Sequence, residues 1–238
     1  MRLKIAPAIL EKYPQAELGW LTADITPLPM DPKVEEWKGA LAAWVSSQGI
    51  TSENLSSCPE VAGWRQVFGS MGVKPSKYRC SLEALLRRVL KENSLWTVNS
   101  VVDLYNCVSV RTLFPMGAFD LEKVKGDLSL RFGREGETFS PLGKGDEERV
   151  SCEHVVYADS EKVCCWLWNH RDSRLVGLDE TSRRAVFFVD RAFSPTRFTM
   201  EDALQALEEK LAEIGARVTG KGVCTPLEPH QGILEVRS

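Results

Sequence analysis

The sequence predicts an α+β domain, and three observations carry that expectation. Apolar residues at helical spacing dominate residues 31–112, short alternating runs bounded by turn residues take over from Asp127, and one capped helix returns at Thr199. Helices and strands that segregate along a chain, instead of alternating, build α+β architectures. At 238 residues the chain suits one large domain or two small ones. We expect an N-terminal α/β segment, 1–72, packed on a core of 73–238 as one compact unit.

"LGWLTADIT", residues 18–26, reads as a strand stopped by Pro27 and Pro29. Asp31 followed by Pro32 is a helix start, and Val34, Trp37, Leu41, Trp44 and Val45 then share a face that Gly49 closes. A second helix runs over 59–68 with Val61, Trp64, Val67 and Phe68 inward. Ser81 is expected to cap a third, "LEALLRRVLKE", through which Leu82, Leu85, Leu86, Val89 and Leu90 face a core. Arg87, Arg88 and Lys91 line its other side, and Lys74, Lys77 and Arg79 precede it. That charge is either a solvated helix face or a surface for an anionic ligand.

Residues 98–110 follow helical spacing twice over. Val98, Val101, Val102, Tyr105 and Val108 make an apolar stripe, and Asn99, Asp103, Asn106 and Val110 a second one beside it, like one wall of a cleft. The many β-branched residues keep a strand as the competing reading, and Asn99 has the alternative of being only a helix cap. Beyond Asp127, "DLSLRFG", "ETFSPLG", "EHVVYAD", "KVCCWLWN" and "RAVFFVD" are strand-like, with a hairpin turn at Asp159-Ser160-Glu161. The last helix begins at Thr199, has Asp202 as its capping-box acid, packs through Ala203, Leu204, Leu207, Leu211 and Ile214, and ends at Gly215.

A net charge of −3 argues against a surface coated in positive charge, though a local basic patch is compatible with it. No apolar run is long enough for a secretion signal or a membrane span. Seven cysteines, an odd number in mostly apolar surroundings, fit reduced thiols in a cytoplasm, the expected compartment. The three histidines are scattered, and Cys152, His154, Cys164 and Cys165 would converge only if their strands paired, so no metal and no cofactor is expected. Phosphate-loop, dinucleotide and serine-elbow motifs are missing. What remains is "CCWLWNHRDSR", residues 164–174, a strand carrying Trp166 and Trp168 out into Asn169, His170, Arg171 and Asp172. Aromatic bodies followed by donors, acceptors and a cation suit a pocket rim, with a solvated hairpin end as the plainer alternative.

"VVDLYNCVSVRTLFPMGAFDLEKVKGDLSLRFGREGETF", "VVYADSEKV" and "DETSRRAVFFVDRAFSP" together resemble the B3/B4 domain of the bacterial phenylalanyl-tRNA synthetase β subunit. The resemblance covers roughly 75–198. "GWRQVFGSMGVKPSKYRCSLEALLRRVLK" and "WLWNHR" make the free-standing B3/4 proteins the closer match. The resemblance implies a B3/4 fold, a β-sandwich of unusual topology flanked by helices, and an activity that hydrolyses a wrong amino acid from tRNA. The chain also departs from the pattern. Gly117 stands where the synthetase has histidine, and Trp168-Asn169-His170-Arg171 replace a glycine-rich turn. The acid that reads tyrosine falls near Val189, with Asp190 one residue off and so expected on the other face, and tyrosine specificity is not carried over.

These readings combine into an expected trans-acting deacylase of mischarged tRNA, with a non-catalytic tRNA- or amino-acid-binding module as the alternative. Asn106 and Asn169 would position carbonyl or water, Arg171 would support the terminal phosphate or the oxyanion, and His170 would be an optional base. Asp103 or Asp120 would neutralise the α-ammonium, and Gly117 and Trp168 would shape the substrate pocket. Lys74, Lys77, Arg79, Arg87 and Arg88 would hold the acceptor stem through phosphates.

Overall fold

The structure, a computed structural model, describes residues 1–143, 146–194 and 196–232. Pro195 of the resembling stretch and the last six residues of the expected core lie outside the described residues. The chain opens with β1 (Arg2–Ile5), whose Leu3 and Ile5 are fully buried, then α1 (Pro7–Lys12) and β2 (Glu17–Asp24). Next come α2 (Pro32–Ser47), α3 (Pro59–Ser70), α4 (Ser81–Glu92) and α5 (Ser100–Thr112). In α2 the cap is Asp31, whose carboxylate accepts from the Lys33 and Val34 amides. The cap of α4 lies one residue before the expected Ser81: the Cys80 sulfur accepts from the Glu83 amide, and the Ser81 hydroxyl has no hydrogen-bond partner.

The helical reading of 98–110 is the one the fold adopts. Asn99 Oδ1 accepts from the Val101 and Val102 amides at 3.2 and 3.0 Å, so this buried amide is the cap of α5. Its cap role predicts that Asn99→Ala lowers stability by about 1 kcal/mol, to be read from the midpoint of urea unfolding.

The strands that follow are β3 (Met116–Asp120), β4 (Leu128–Phe132), β5 (Thr138–Phe139), β6 (Glu148–Arg149), β7 (Val155–Ala158), β8 (Val163–Trp166), β9 (Arg171–Asp172) and β10 (Arg184–Arg191). The chain then forms α6 (Met200–Glu213), with both bonds of the Thr199–Asp202 capping box, and ends in β11 (Arg217–Cys224) and β12 (His230–Gly232). Two sheets organise these strands. One has the order β12-β1-β4-β7-β8-β9, in which only the β1–β4 pair is parallel; the other is the antiparallel β11-β2-β10-β3. A β5–β6 ribbon stands apart. Residues 1–72 therefore give one strand to each sheet, β1 and β2.

The period-two alternation of β10 explains the layers. Phe187 and Val189 join Leu104 and Val108 of α5 and Leu204 and Leu207 of α6 in one core. Val186 and Phe188 face the other way, where the Phe188 ring lies 4.9 Å from Tyr157 and 5.0 Å from Phe119. The result is an α+β fold of helices on a four-stranded sheet, which in turn faces a six-stranded one. No helix among the described residues is long and apolar enough to cross a membrane.

Candidate functional site between the sheets

The strand expected through Trp168 stops at Trp166. Leu167 and Trp168 have φ of +52° and +63°, a left-handed conformation that bulky residues occupy only when packing compels it. Here it does. Trp168 is fully buried, packs edge-on against Tyr13 at 5.2 Å and Trp64 at 5.3 Å, and donates its Nε1–H to Asp190 at 3.3 Å. Asn169 Nδ2 donates to the other oxygen of Asp190 at 3.2 Å, while the Asn169 carbonyl accepts from the Ser81 amide at 3.0 Å. His170 Nδ1 bonds the Arg79 carbonyl at 2.7 Å. A carbonyl only accepts, so Nδ1 carries the hydrogen and Nε2 of the neutral ring is the free acceptor.

This turn closes a cavity of about 190 Å³ between the two sheets. Tyr105 and Asn106 of α5 form one wall; Met116, Gly117 and Phe119 of β3 with Phe188 and Asp190 of β10 form a second. Tyr157, Cys165 and the residues from Trp168 to Asp172 form the third, with Ser81 and Leu142 at the edge. Gly117 has an ordinary φ; its value is close approach, since a Cβ there would lie 3.5 Å from Asp172 Oδ2. A larger groove of about 460 Å³ lies on the other flank of α5, between Trp37, Trp44 and Phe198. None of the expected site residues lines it.

Burial sets the electrostatics of the smaller cavity. It pushes the Asp172 carboxyl up to about 6 and the Asp190 carboxyl up to about 7, although Tyr157, Asn169 and Trp168 donate to Asp190 and oppose the shift. Burial also lowers His170, so its imidazole is neutral at pH 7. The one thiol in the lining, Cys165, is raised well above its ordinary range by burial and then by the Asp172 charge. It is a poor nucleophile there. Among the described residues no three His, Cys, Asp or Glu side chains converge to hold a metal.

Of the expected site residues, Asn106, Gly117, Trp168, Asn169, His170 and Arg171 line this cavity. Asp103 and Asp120 do not. Asp103 turns toward α2, where it accepts from Lys38 Nζ at 3.4 Å and from the Val98 amide at 2.9 Å. Asp120 accepts from the Ser182 hydroxyl at 2.6 Å and the Glu122 amide at 2.9 Å. Both carboxylates hold the fold together, and the ammonium role expected for them has no place at the cavity.

The basic set is also reduced. Arg79 and Arg87 converge with Arg65 on the fully buried Glu83, at 3.7, 2.8 and 3.0 Å. Arg88 pairs with Glu92 at 2.9 Å and lies over the Trp96 ring. Among the described residues, Lys74 and Lys77 have no carboxylate within ion-pair distance, and Lys77 lies over the Tyr78 ring. The sequence reading missed Asp190, Tyr157 and Ser81, and gave Asp172 no role. Asp190 was legible: it continues the Val186, Phe188 phase of its own strand.

A family model described as the B3/4 domain matches residues 63–215. The phenylalanine–tRNA ligase β subunit of Bartonella quintana is 32% identical over 136 residues, which are 57% of this chain and 16% of that protein. The same subunit of Protochlamydia amoebophila is 38% identical over 78 residues, 32% of this chain and 10% of that protein. The chain thus spans a small part of these relatives' length. An N-terminal fragment of the phenylalanyl-tRNA synthetase β subunit from Pyrococcus horikoshii aligns over 91% of this chain and 49% of that one, with a TM-score of 0.45 and 13% identity.

Proposed function

The chain belongs to the B3/4 domain family, and from that premise we propose that it hydrolyses the aminoacyl ester of mischarged tRNA, in trans, in the cavity between the sheets. The observation that carries this reading is that Asn106, Asn169, His170 and Arg171, from a helix and a distant turn, line one small cavity. Ester hydrolysis is downhill, so the site has to orient a water and steady the tetrahedral oxyanion. The Asn106 amide and Arg171 guanidinium donate to the carbonyl as it gains charge. His170, neutral and with Nδ1–H fixed on Arg79, takes a proton from water at Nε2 and returns it to the departing ribose hydroxyl. No protein nucleophile is needed, in keeping with the suppressed thiol of Cys165.

The tRNA body approaches from the α4 side in this reading. Ser81, the first residue of α4, borders the cavity, and the N-terminus of that helix favours phosphate. Lys74 and Lys77 precede it, and their contribution is salt-dependent. The setting is the cytoplasm, where tRNA is charged. A second reading, a module that binds aminoacyl-tRNA without cleaving it, is favoured by Gly117, which offers no base.

The test is a panel of mischarged tRNAs followed for loss of the aminoacyl ester. We expect hydrolysis of at least one, and a loss of about 10²–10³-fold in rate in the Asn106→Ala, Arg171→Ala double variant. No cleavage anywhere in the panel overturns catalysis in favour of binding. Undiminished cleavage by the double variant overturns the residue assignment.

A further inference from the structure

The unused chemistry of the cavity is on its acceptor side. Asp172 lines it from β9, half-buried, with its carboxylate over Gly117 of β3. Asn169 lines the same cavity, 7% exposed, and its Oδ1 has no hydrogen-bond partner while its Nδ2 is committed to Asp190. The Ser81 hydroxyl at the edge is likewise unpartnered. Asp190 contributes a second carboxylate on the opposite sheet, already supplied with donors by Tyr157, Trp168 and Asn169.

Among the described residues, no lysine or arginine is ion-paired with either carboxylate. The causes of the Asp172 shift are its burial and the Cys165 thiol, and no cation is among those acting on Asp190. The other titratable neighbours, Tyr105 of α5 and Cys165 of β8, are held protonated by the same burial. Arg171 lines the same cavity, but among the described residues it makes no ion pair with Asp172 or Asp190 and is not among the groups acting on either carboxyl. A buried carboxylate is costly without a positive partner, and a buried acceptor left unpaired costs about 1–3 kcal/mol. The ligand that satisfies both is compact, positively charged and rich in N–H.

We propose that Asp172, together with the unpartnered Asn169 Oδ1 of the same cavity, is the seat of the substrate's primary α-ammonium, so that the site accepts aminoacyl groups with a free amine and rejects N-blocked ones. The three N–H bonds of an ammonium match one charged and one neutral acceptor, with a bond to spare for Ser81 Oγ. The cavity's small volume limits the rest of the group to a short side chain against Tyr105, Met116 and Phe188. Any side chain longer than a methyl at position 117 would run into the carboxylate, so Gly117 keeps the seat open.

This assignment rests on the cavity being an aminoacyl site, and its test reads binding alone, so an inactive protein leaves it standing. L-alaninamide, a cation at pH 7, is titrated into the full chain in chelator-treated buffer, with L-lactamide, its neutral hydroxyl counterpart, in parallel. Chemical shifts of the Asn169 and Trp168 side-chain N–H groups report occupancy. The cation is expected to bind about tenfold or more tightly than lactamide, and Asp172→Asn to abolish the preference without lowering the thermal midpoint. Equal binding of the two amides by the wild-type chain overturns the proposal without any variant. So does a preference that survives Asp172→Asn, or no shift from alaninamide up to about 100 mM.

Discussion

Replacing Trp168 with alanine is expected to lower folding stability by about 3–5 kcal/mol, the range for emptying a buried aromatic site. The side chain is fully buried and stands at the meeting point of three parts of the chain: Tyr13 after α1, Trp64 in α3 and Asp190 in β10. Its loss leaves a cavity between rigid neighbours and takes one donor from a buried carboxylate. The backbone supplies an internal control. At φ of +63° glycine escapes the roughly 1–2 kcal/mol left-handed penalty borne by other residues, so Trp168→Gly should be at least as stable as Trp168→Ala. That order is the reverse of the one seen in helices and strands. Chemical denaturation of both variants decides it. A loss below about 1 kcal/mol, or alanine clearly above glycine, would mean that the turn relaxes instead of being held by packing.

Why this turn escaped a reading of the sequence is a matter of physics. "KVCCWLWN" is dense in β-formers, and nothing local announces that residues 167 and 168 turn left-handed. The cause is the packing of Tyr13 and Trp64, more than 100 residues away. Local signals were readable where local forces decide. The Asn99 cap and the 3.6-residue spacing of α5 needed only the segment itself, as did the Thr199–Asp202 box.

Asp103 shows the limit. Its place on a polar stripe was legible, but its partner is Lys38, a lysine only 2% exposed on α2 that looks like a surface residue in the sequence. Glu83 is the opposite case. Its spacing of four from both Arg79 and Arg87 marks ion pairs, and would have discounted two of the five expected phosphate ligands. The strands β11 and β12 carry little apolar patterning. β11 exists because β2 offers it an edge along its length.

Asp190 makes the fold sensitive to pH in an uncommon direction. Burial raises its carboxyl from an ordinary 3.8 to about 7, so the folded chain holds the proton more tightly than the unfolded one. A group of this kind contributes stability that is complete below about pH 4 and lost as pH climbs through 7. The full span is about 4 kcal/mol, of which about 3 falls between pH 5 and 8. Asp172, raised to about 6, adds a smaller loss of the same sign. His154 and His170 oppose it: burial lowers both, so their contribution is present above about pH 6.5 and lost as pH falls through their folded values.

Comparing the wild-type chain with Asp190→Asn at each pH cancels the histidines. The variant should gain about 3 kcal/mol on the wild type between pH 5 and 8, measured by urea unfolding. Parallel curves would show that Asp190 is ionised throughout, its donors from Tyr157, Trp168 and Asn169 having outweighed burial. Asp190 would then contribute a fixed negative charge at every working pH, in place of one that grows as pH rises past neutrality.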